Sequence, residues 1–214
     1  MHRLLRGEVL MFGGFAVAAV ATIFLVMPSS AAPVSAEWTV LPSGPLGPAD
    51  RDLLVKVRQA GLWEIPVGRY AQERAGSDRV KDVGMHLVED HTKLDVVTRR
   101  LAAKLGVPLP DQPNPDQQSW MAQLAAENGP AFDRDFANLL RAAHGKVFTV
   151  VAGVRSGTRN GEVRKFTQQA VNVVMKHMTL LESTGLVDFD ELPEPPTPSA
   201  TPPAPAAVET RRQP

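Results

Sequence analysis

Four side chains suited to metal or proton chemistry fall on the apolar faces of four separate helix-patterned segments: Glu64, His91, His144 and His177. A buried carboxylate or imidazole costs free energy unless it is hydrogen-bonded, paired with a charge or bound to a metal. One acid with three imidazoles suits a single transition-metal ion, and zinc, copper, manganese and iron all accept such donors. The pattern therefore predicts one mononuclear metal site if the four segments pack together.

Two metal-free interpretations use the same residues. Each histidine can hydrogen-bond a neighbouring acid, with Glu64 pairing with one of them, in a buried polar network that fixes the register of the helices. Because imidazole titrates near neutral pH, such a network can also act as a pH sensor in which protonation loosens the helices. Asp90 is either an alternative ligand or the acceptor that fixes the tautomer of an imidazole. The sequence leaves these interpretations open.

The sequence offers little support for enzymatic chemistry. Di-iron bundles take Glu-x-x-His pairs from two helices, but Val88, Arg141 and Val174 stand three residues before the histidines. The chain has no cysteine nucleophile, and neither a G-x-S-x-G motif nor a phosphate-binding glycine loop occurs. We therefore assign no catalytic residue and expect a metal-binding protein of unassigned activity or, alternatively, a non-enzymatic envelope or stress-associated interaction module whose histidines are structural.

Apolar residues at steps of three and four predict the four helices that position these side chains. The first spans about residues 49–75 and contains Pro66, which should bend it or remove one backbone hydrogen bond. The other three follow capping residues and end at glycines, over about residues 77–106, 130–157 and 161–185. Each helix carries one of the four site residues on its apolar face.

Two other positions bear on this assignment. His86 lies on the opposite side of the second helix from His91, so we expect it to face solvent. In the third helix, Ala143 competes with His144 for the inward position.

Two short connections and one long one join these helices. The long connection, residues 111–129, begins with prolines and includes a short helical stretch around Trp120. This pattern predicts an all-α, ferritin-like four-helix bundle with a long crossover between helices 2 and 3, which then run parallel. His91 and His144 each lie fourteen residues after the start of their helices, so they share one depth. Glu64 is offset by about 4 Å and His177 by about one turn, so side-chain reach must close these gaps.

Several short stretches resemble one bacterial family. They are residues 60–64 (AGLWE), 89–91 (EDH), 105–110 (LGVPLP) and 132–136 (FDRDF), followed by His144 and His177. In this order and spacing they resemble domain-of-unknown-function family 4142, an exported family with a ferritin-like fold, often labelled as outer membrane or secreted proteins. The resemblance covers about residues 50–188 and implies a secreted or envelope-facing four-helix bundle without an agreed activity. Pro66 departs from the family pattern.

Both ends differ from the middle of the chain. Arg3 and Arg6 precede an uncharged apolar run of 19 residues, 9–27, and small residues follow it. Residues 1–36 are therefore predicted to be a signal peptide cleaved after Ala36 or, alternatively, an uncleaved N-terminal membrane anchor. Either interpretation places the remainder of the chain outside the cytoplasm. Residues 37–48 are predicted to form a linker, and residues 49–190 the bundle.

The remaining composition limits the kinds of partner. Residues 191–214 are rich in proline and lack apolar periodicity, which predicts a disordered tail that acts as a spacer or binds an envelope partner. The whole chain has 23 basic and 23 acidic residues, and residues 1–36 hold two arginines and one glutamate of these. The rest thus carries one net negative charge, which argues against binding nucleic acid. With no cysteine, the domain must be stabilised by its hydrophobic core.

Overall fold

The computed structural model describes residues 37–194, and the regular elements of this part of the chain are five α-helices. They are α1 (Pro48–Arg74), α2 (Asp78–Leu105), α3 (Pro115–Ala126), α4 (Gly129–Gly157) and α5 (Gly161–Glu182). The predicted all-α class is confirmed. The predicted export segment, residues 1–36, and residues 195–214 of the predicted tail lie outside the described residues. Between residues 37 and 194, no helix combines the length and apolarity needed to cross a bilayer.

The helix ends follow the capping residues seen in the sequence. The Ser77 hydroxyl accepts a hydrogen bond from the backbone N–H of Val80 at the start of α2. Gly106 ends that helix in the left-handed conformation, with φ of 68°, which glycine adopts at little cost. The Asn160 side chain accepts from two backbone N–H groups at the start of α5. These caps fix the start of α2 and α5 and the end of α2, and hence how far along these two helices His91 and His177 lie.

Pro66 lies inside α1, which continues through it to Arg74. A proline lacks the backbone N–H and therefore leaves one carbonyl of the preceding turn without its helical partner. The sequence predicts a bend or the loss of one backbone hydrogen bond at Pro66, and the helix remains a single element across it. Glu64 and the residues on either side of Pro66 thus share one continuous helix.

The long crossover contains the short helix α3. Asn114 and Gln117 form a capping box at its start, in which each side chain accepts a hydrogen bond from the backbone N–H of the other residue. The helix packs against α1 and α4, and the Trp120 ring lies 5.4 Å from the Trp63 ring on α1, measured between centroids. The crossover is therefore a packed layer over the α1–α4 side of the domain.

The four long helices pack as two antiparallel pairs of sequence neighbours, α1 with α2 and α4 with α5. Contacts of α1 with α4 and of α2 with α5 join the two pairs. Two glycines allow α1 and α2 to approach closely. A Cβ atom at Gly68 would lie 2.6 Å from the Gly84 carbonyl oxygen, and one at Gly84 would lie 2.6 Å from the Ala71 Cβ. No larger residue fits at either position without moving the helices apart.

The hydrophobic core is divided into two clusters along the length of the helices. One cluster is built around Leu53, Leu94, Val151 and Phe166, and the other around Val67, Leu87, Phe136 and Leu181. On α2, α4 and α5 the residue predicted to belong to the site lies between the parts that contribute to these two clusters, and on α1 Glu64 lies between Val57 of one cluster and Val67 of the other. A polar layer therefore separates two apolar layers in the middle of the domain.

The segment before α1 folds back onto the helices. Thr39 and Leu46 exchange two backbone hydrogen bonds of 3.0 and 2.8 Å, and Leu46 is fully buried in one of the core clusters. The Asn160 side chain also donates to Ser43 and Gly44. The predicted linker, residues 37–48, is thus packed against the ends of α4 and α5.

Candidate metal centre

The structure brings the four predicted residues together in the polar layer: Glu64 from α1, His91 from α2, His144 from α4 and His177 from α5. One nitrogen or carboxylate oxygen from each lies within 4.8 Å of all the others. The four side chains are buried, with at most 4% of any residue exposed. The offsets in depth expected for Glu64 and His177 are therefore closed by the side chains.

The carboxylate of Glu64 faces two of the imidazoles. Its Oε2 atom lies 2.8 Å from His91 Nε2 and 3.4 Å from His144 Nε2. The 2.8 Å contact is short enough for a hydrogen bond, but neither Glu64 Oε2 nor either ring nitrogen of His91 has a partner in hydrogen-bond alignment. Buried polar atoms without an aligned partner are rare in folded proteins and call for an explanation.

Bonds on the outer side of two rings fix their tautomers. His144 Nδ1 lies 2.8 Å from the Leu140 carbonyl oxygen, which can only accept, so Nδ1 carries the proton. His177 Nε2 donates in the same way to Asp90 Oδ2 at 3.1 Å, and Asp90 also accepts from Lys176 Nζ at 2.6 Å. In the neutral rings, His144 Nε2 and His177 Nδ1 consequently present lone pairs to the cluster.

These two lone-pair nitrogens lie 3.1 Å apart. Two acceptors at this distance repel each other unless a proton or a metal cation lies between them. Donors bound to a tetrahedral zinc ion at 2.0–2.1 Å are separated from each other by about 3.3 Å. The separations of 2.8, 3.1 and 3.4 Å within the cluster are close to that value. All four donor atoms lie within 4.8 Å of one another, so small movements of the side chains would bring them to a single small cation.

The electrostatics of the cluster leave most donors in the form that binds metal. Burial alone would raise the pKa of Glu64, but the surrounding histidines outweigh it and lower that pKa to about 2. Burial lowers the pKa of His177 to about 3, with His91 and His144 adding to the effect, and burial also lowers the pKa of His144. At neutral pH the carboxylate is thus ionised and these two imidazoles are neutral.

His91 behaves differently from the other two histidines. Burial lowers its pKa, but the adjacent Glu64 carboxylate reverses the effect and raises the pKa overall. An imidazolium at His91 beside ionised Glu64 is the ion pair that the metal-free interpretation requires. A metal ion would displace this proton, because an imidazole nitrogen binds a metal only when it carries no proton.

With the fold and the cluster established, one comparison with known proteins identifies the family. The family model described as "Domain of unknown function (DUF4142)" matches residues 38–183. The chain belongs to this family. The DUF4142 match spans all five helices and the four clustered residues. Neither the curated proteins nor the solved structures contain a match to the chain.

The structure also shows where the other residues discussed in the sequence lie in this DUF4142 domain. Asp90 lies outside the four clustered donors and bonds the far nitrogen of His177, which is the tautomer-fixing role rather than that of a ligand. His144 is buried with 1% exposure, while Ala143 is half-buried beside one of the apolar clusters. The His86 side chain is 39% exposed near Asp82, as expected for a solvent-facing position.

Sequence reasoning missed two contributors to the cluster. The Leu140 carbonyl fixes the His144 ring, and Lys176 holds the carboxylate that fixes His177. The first could have been found, because a histidine side chain in a helix can reach the carbonyl four residues earlier. The second joins α5 to α2, and no spacing within either segment indicates it.

Proposed function

We propose that this DUF4142 domain binds one transition-metal ion through Glu64, His91, His144 and His177. The observation that carries the proposal is the convergence of His144 Nε2 and His177 Nδ1, both unprotonated, at 3.1 Å. The Glu64 carboxylate faces the same point and adds negative charge. A cation removes the repulsion among these acceptors and supplies a partner for Glu64 Oε2 and for one ring nitrogen of His91.

The donors favour a metal-binding role over a hydrolytic one. Three imidazoles and one carboxylate can fill a tetrahedral shell, and zinc sites closed by four protein donors are usually structural. Imidazole also suits copper and iron, and protein geometry together with metal supply selects among these ions. The bound metal would hold the side chains of the buried polar layer in one arrangement and would pair donor atoms that otherwise lack partners. Metal binding would thereby stabilise the folded domain.

The arrangement of helices supports a ferritin-like four-helix bundle. Short connections join α1 to α2 and α4 to α5, and the connection that contains α3 joins the two pairs. Contacts between α1 and α4 and between α2 and α5 close the set of four. Metal sites in such bundles are built from inward side chains on facing helices, as in the cluster proposed here.

The sequence before the domain supports a location outside the cytoplasm. Arg3 and Arg6 followed by the apolar run of residues 9–27 are typical of an export signal or an N-terminal anchor. The proline-rich residues 191–214 would then serve as a spacer in the envelope or as a ligand for an envelope partner. Expression of the full chain fused to a periplasm-dependent alkaline phosphatase tests the location, and an inactive fusion would contradict it.

Metal content and titration of the full chain test the metal proposal. The chain purified without chelator is expected to bind about one Zn²⁺ or Co²⁺ tightly, and the His144→Ala and His177→Ala variants should lose this binding. His86→Ala is the matched control, because that histidine is outside the cluster, and it should bind like the parent. If the parent does not bind about one metal ion per chain, or if His86→Ala loses as much metal binding as His144→Ala and His177→Ala, the proposal is wrong. The cluster would then serve as a metal-free polar network around the His91–Glu64 pair that fixes the register of the helices.

A further inference from the structure

A surface pocket of about 300 Å³ opens beside Glu64, between α1, α3 and α4. The Glu64 side chain is part of its lining although the residue is only 3% exposed. None of the three clustered histidines lines this pocket. The pocket therefore approaches the candidate metal centre from the carboxylate side, and the crossover helix α3 forms its outer wall.

Two indole rings provide apolar surface in this pocket. The rings of Trp63 and Trp120 both line it and are inclined at 57° to each other. Small and aliphatic side chains of the lining, Ala60, Ala143 and Val147, continue the apolar surface towards α4. Ligand pockets commonly combine such walls with a few polar groups that fix orientation. A flat apolar body of about the size of a benzene ring is suited to this part of the pocket.

The polar groups of the lining include two donors without partners. Within residues 37–194, the exposed Lys146 ammonium has no ion pair, whereas Lys56 is held by Asp52 at 2.6 Å. The Gln117 side-chain oxygen accepts from Asn114 N–H, so its amide NH₂ remains available for a ligand. A ligand rich in acceptor oxygens would satisfy these groups.

We propose that this pocket binds a small carboxylate with a flat apolar body, oriented by Lys146 and Gln117 and packed against Trp63 and Trp120. The inference rests on the metal-binding function proposed above, because a divalent cation held by Glu64 adds positive charge beside the pocket and so favours an anion there. Asp116, the other acid of the lining, is exposed in the first turn of α3, where the positive end of the helix dipole partly balances it. Binding of the carboxylate should therefore depend on the metal.

Benzoate is the probe, and the full chain loaded with Co²⁺ is the receptor. A Trp38→Phe background removes the only tryptophan outside the pocket among the three of the chain, so fluorescence reports Trp63 and Trp120. Benzoate should quench this fluorescence saturably and bind at least about threefold more tightly to the cobalt-loaded chain than to the metal-free chain. Acetate, which lacks the ring, and benzamide, which lacks the charge, should each bind at least about tenfold more weakly.

Lys146→Ala should weaken benzoate at least about threefold, and Lys165→Ala should not, since that exposed lysine lies on α5 outside the pocket. The visible absorption of bound Co²⁺ separates the two proposals. Without a cobalt spectrum, the metal site and the inference built on it are both wrong. A cobalt spectrum without saturable benzoate quenching overturns the pocket proposal alone. Equal binding of benzamide, or an equal loss in Lys165→Ala, would also overturn it.

Discussion

Nδ1 of His177 lies 3.1 Å from Nε2 of His144, and the opposite nitrogen of each ring is already committed to an acceptor outside the cluster. The two rings therefore cannot satisfy each other as neutral imidazoles. This relationship distinguishes the cluster from an ordinary buried hydrogen-bond network, in which donors and acceptors alternate.

Removing the carboxylate that orients His177 should weaken metal binding without removing a ligand. Asp90→Asn can present its amide NH₂ to His177 Nε2 and so favour the wrong tautomer. We expect Zn²⁺ affinity to fall by about 10- to 100-fold, measured by competition with a chromogenic chelator. Asp82→Asn, an exposed aspartate on the same helix, is the control. Unchanged affinity in Asp90→Asn would show that the His177–Asp90 bond does not position a ligand.

Metal should stabilise the folded domain. At a free Zn²⁺ concentration of 100 times Kd, binding to the folded state alone adds about 2.7 kcal/mol to the free energy of unfolding. For a domain of this size that corresponds to a rise in Tm of about 5–10 °C, measured by calorimetry with and without chelator. The His86→Ala variant should show the same rise, and His144→Ala should show none. A rise that survives in His144→Ala would place the bound metal elsewhere.

Acid should destabilise the metal-free domain through the neutral imidazoles. His144 and His177 have folded pKa values below the unfolded value, to about 3 for His177, so between pH 6.5 and 3 the unfolded chain binds more protons. Stability therefore falls as pH falls through this window, by at most about 1.4 kcal/mol per pH unit for each imidazole. His91, with a raised pKa, acts oppositely, and its contribution is lost as pH rises through its folded pKa.

Urea unfolding of the chelator-treated chain between pH 7 and 5 measures this dependence. The His177→Gln variant should show a shallower decline than the parent, because it removes the group with the strongly lowered pKa. The His86→Gln variant, which changes a solvent-facing histidine, should follow the parent. Parallel curves for parent and His177→Gln would mean that this imidazole does not stay neutral in the folded state.

The sequence predicted the four helices and their inward polar residues because both depend on local rules. Caps at Ser77 and Asn160 and the steps of three and four placed Glu64, His91, His144 and His177 on apolar faces, and the structure brings these four together. Which helices would face each other depended on packing that periodicity does not encode.

The features that periodicity could not reveal are contacts between distant segments. The bond from His177 to Asp90 joins α5 to α2, and the pocket beside Glu64 is completed by Trp120 from the crossover. The crossover helix has no strong apolar periodicity of its own, so its docking on α1 and α4 depends on the tertiary fold. Likewise, the sequence placed Asp90 near the site without separating its role as ligand from its role as acceptor.

The close contact of α1 and α2 predicts opposite effects for two glycine substitutions. Gly84→Ala would place a Cβ 2.6 Å from the Ala71 Cβ, and overpacking of this kind typically costs about 1–3 kcal/mol. Gly153→Ala meets no atom within 4 Å and should stabilise α4 by about 0.5–1 kcal/mol. Urea unfolding checks both values. Gly84→Ala should also weaken Zn²⁺ binding, since it separates Glu64 from His91, and equal stability of both variants would contradict the packing described.

X-ray absorption at the zinc edge of the Zn²⁺-loaded full chain reports the donors themselves. We expect four nitrogen or oxygen donors at about 2.0–2.1 Å, with outer-shell scattering from three imidazoles that falls to two in His91→Ala. A shell of six oxygens without imidazole scattering would contradict the assignment of Glu64, His91, His144 and His177 as the metal ligands.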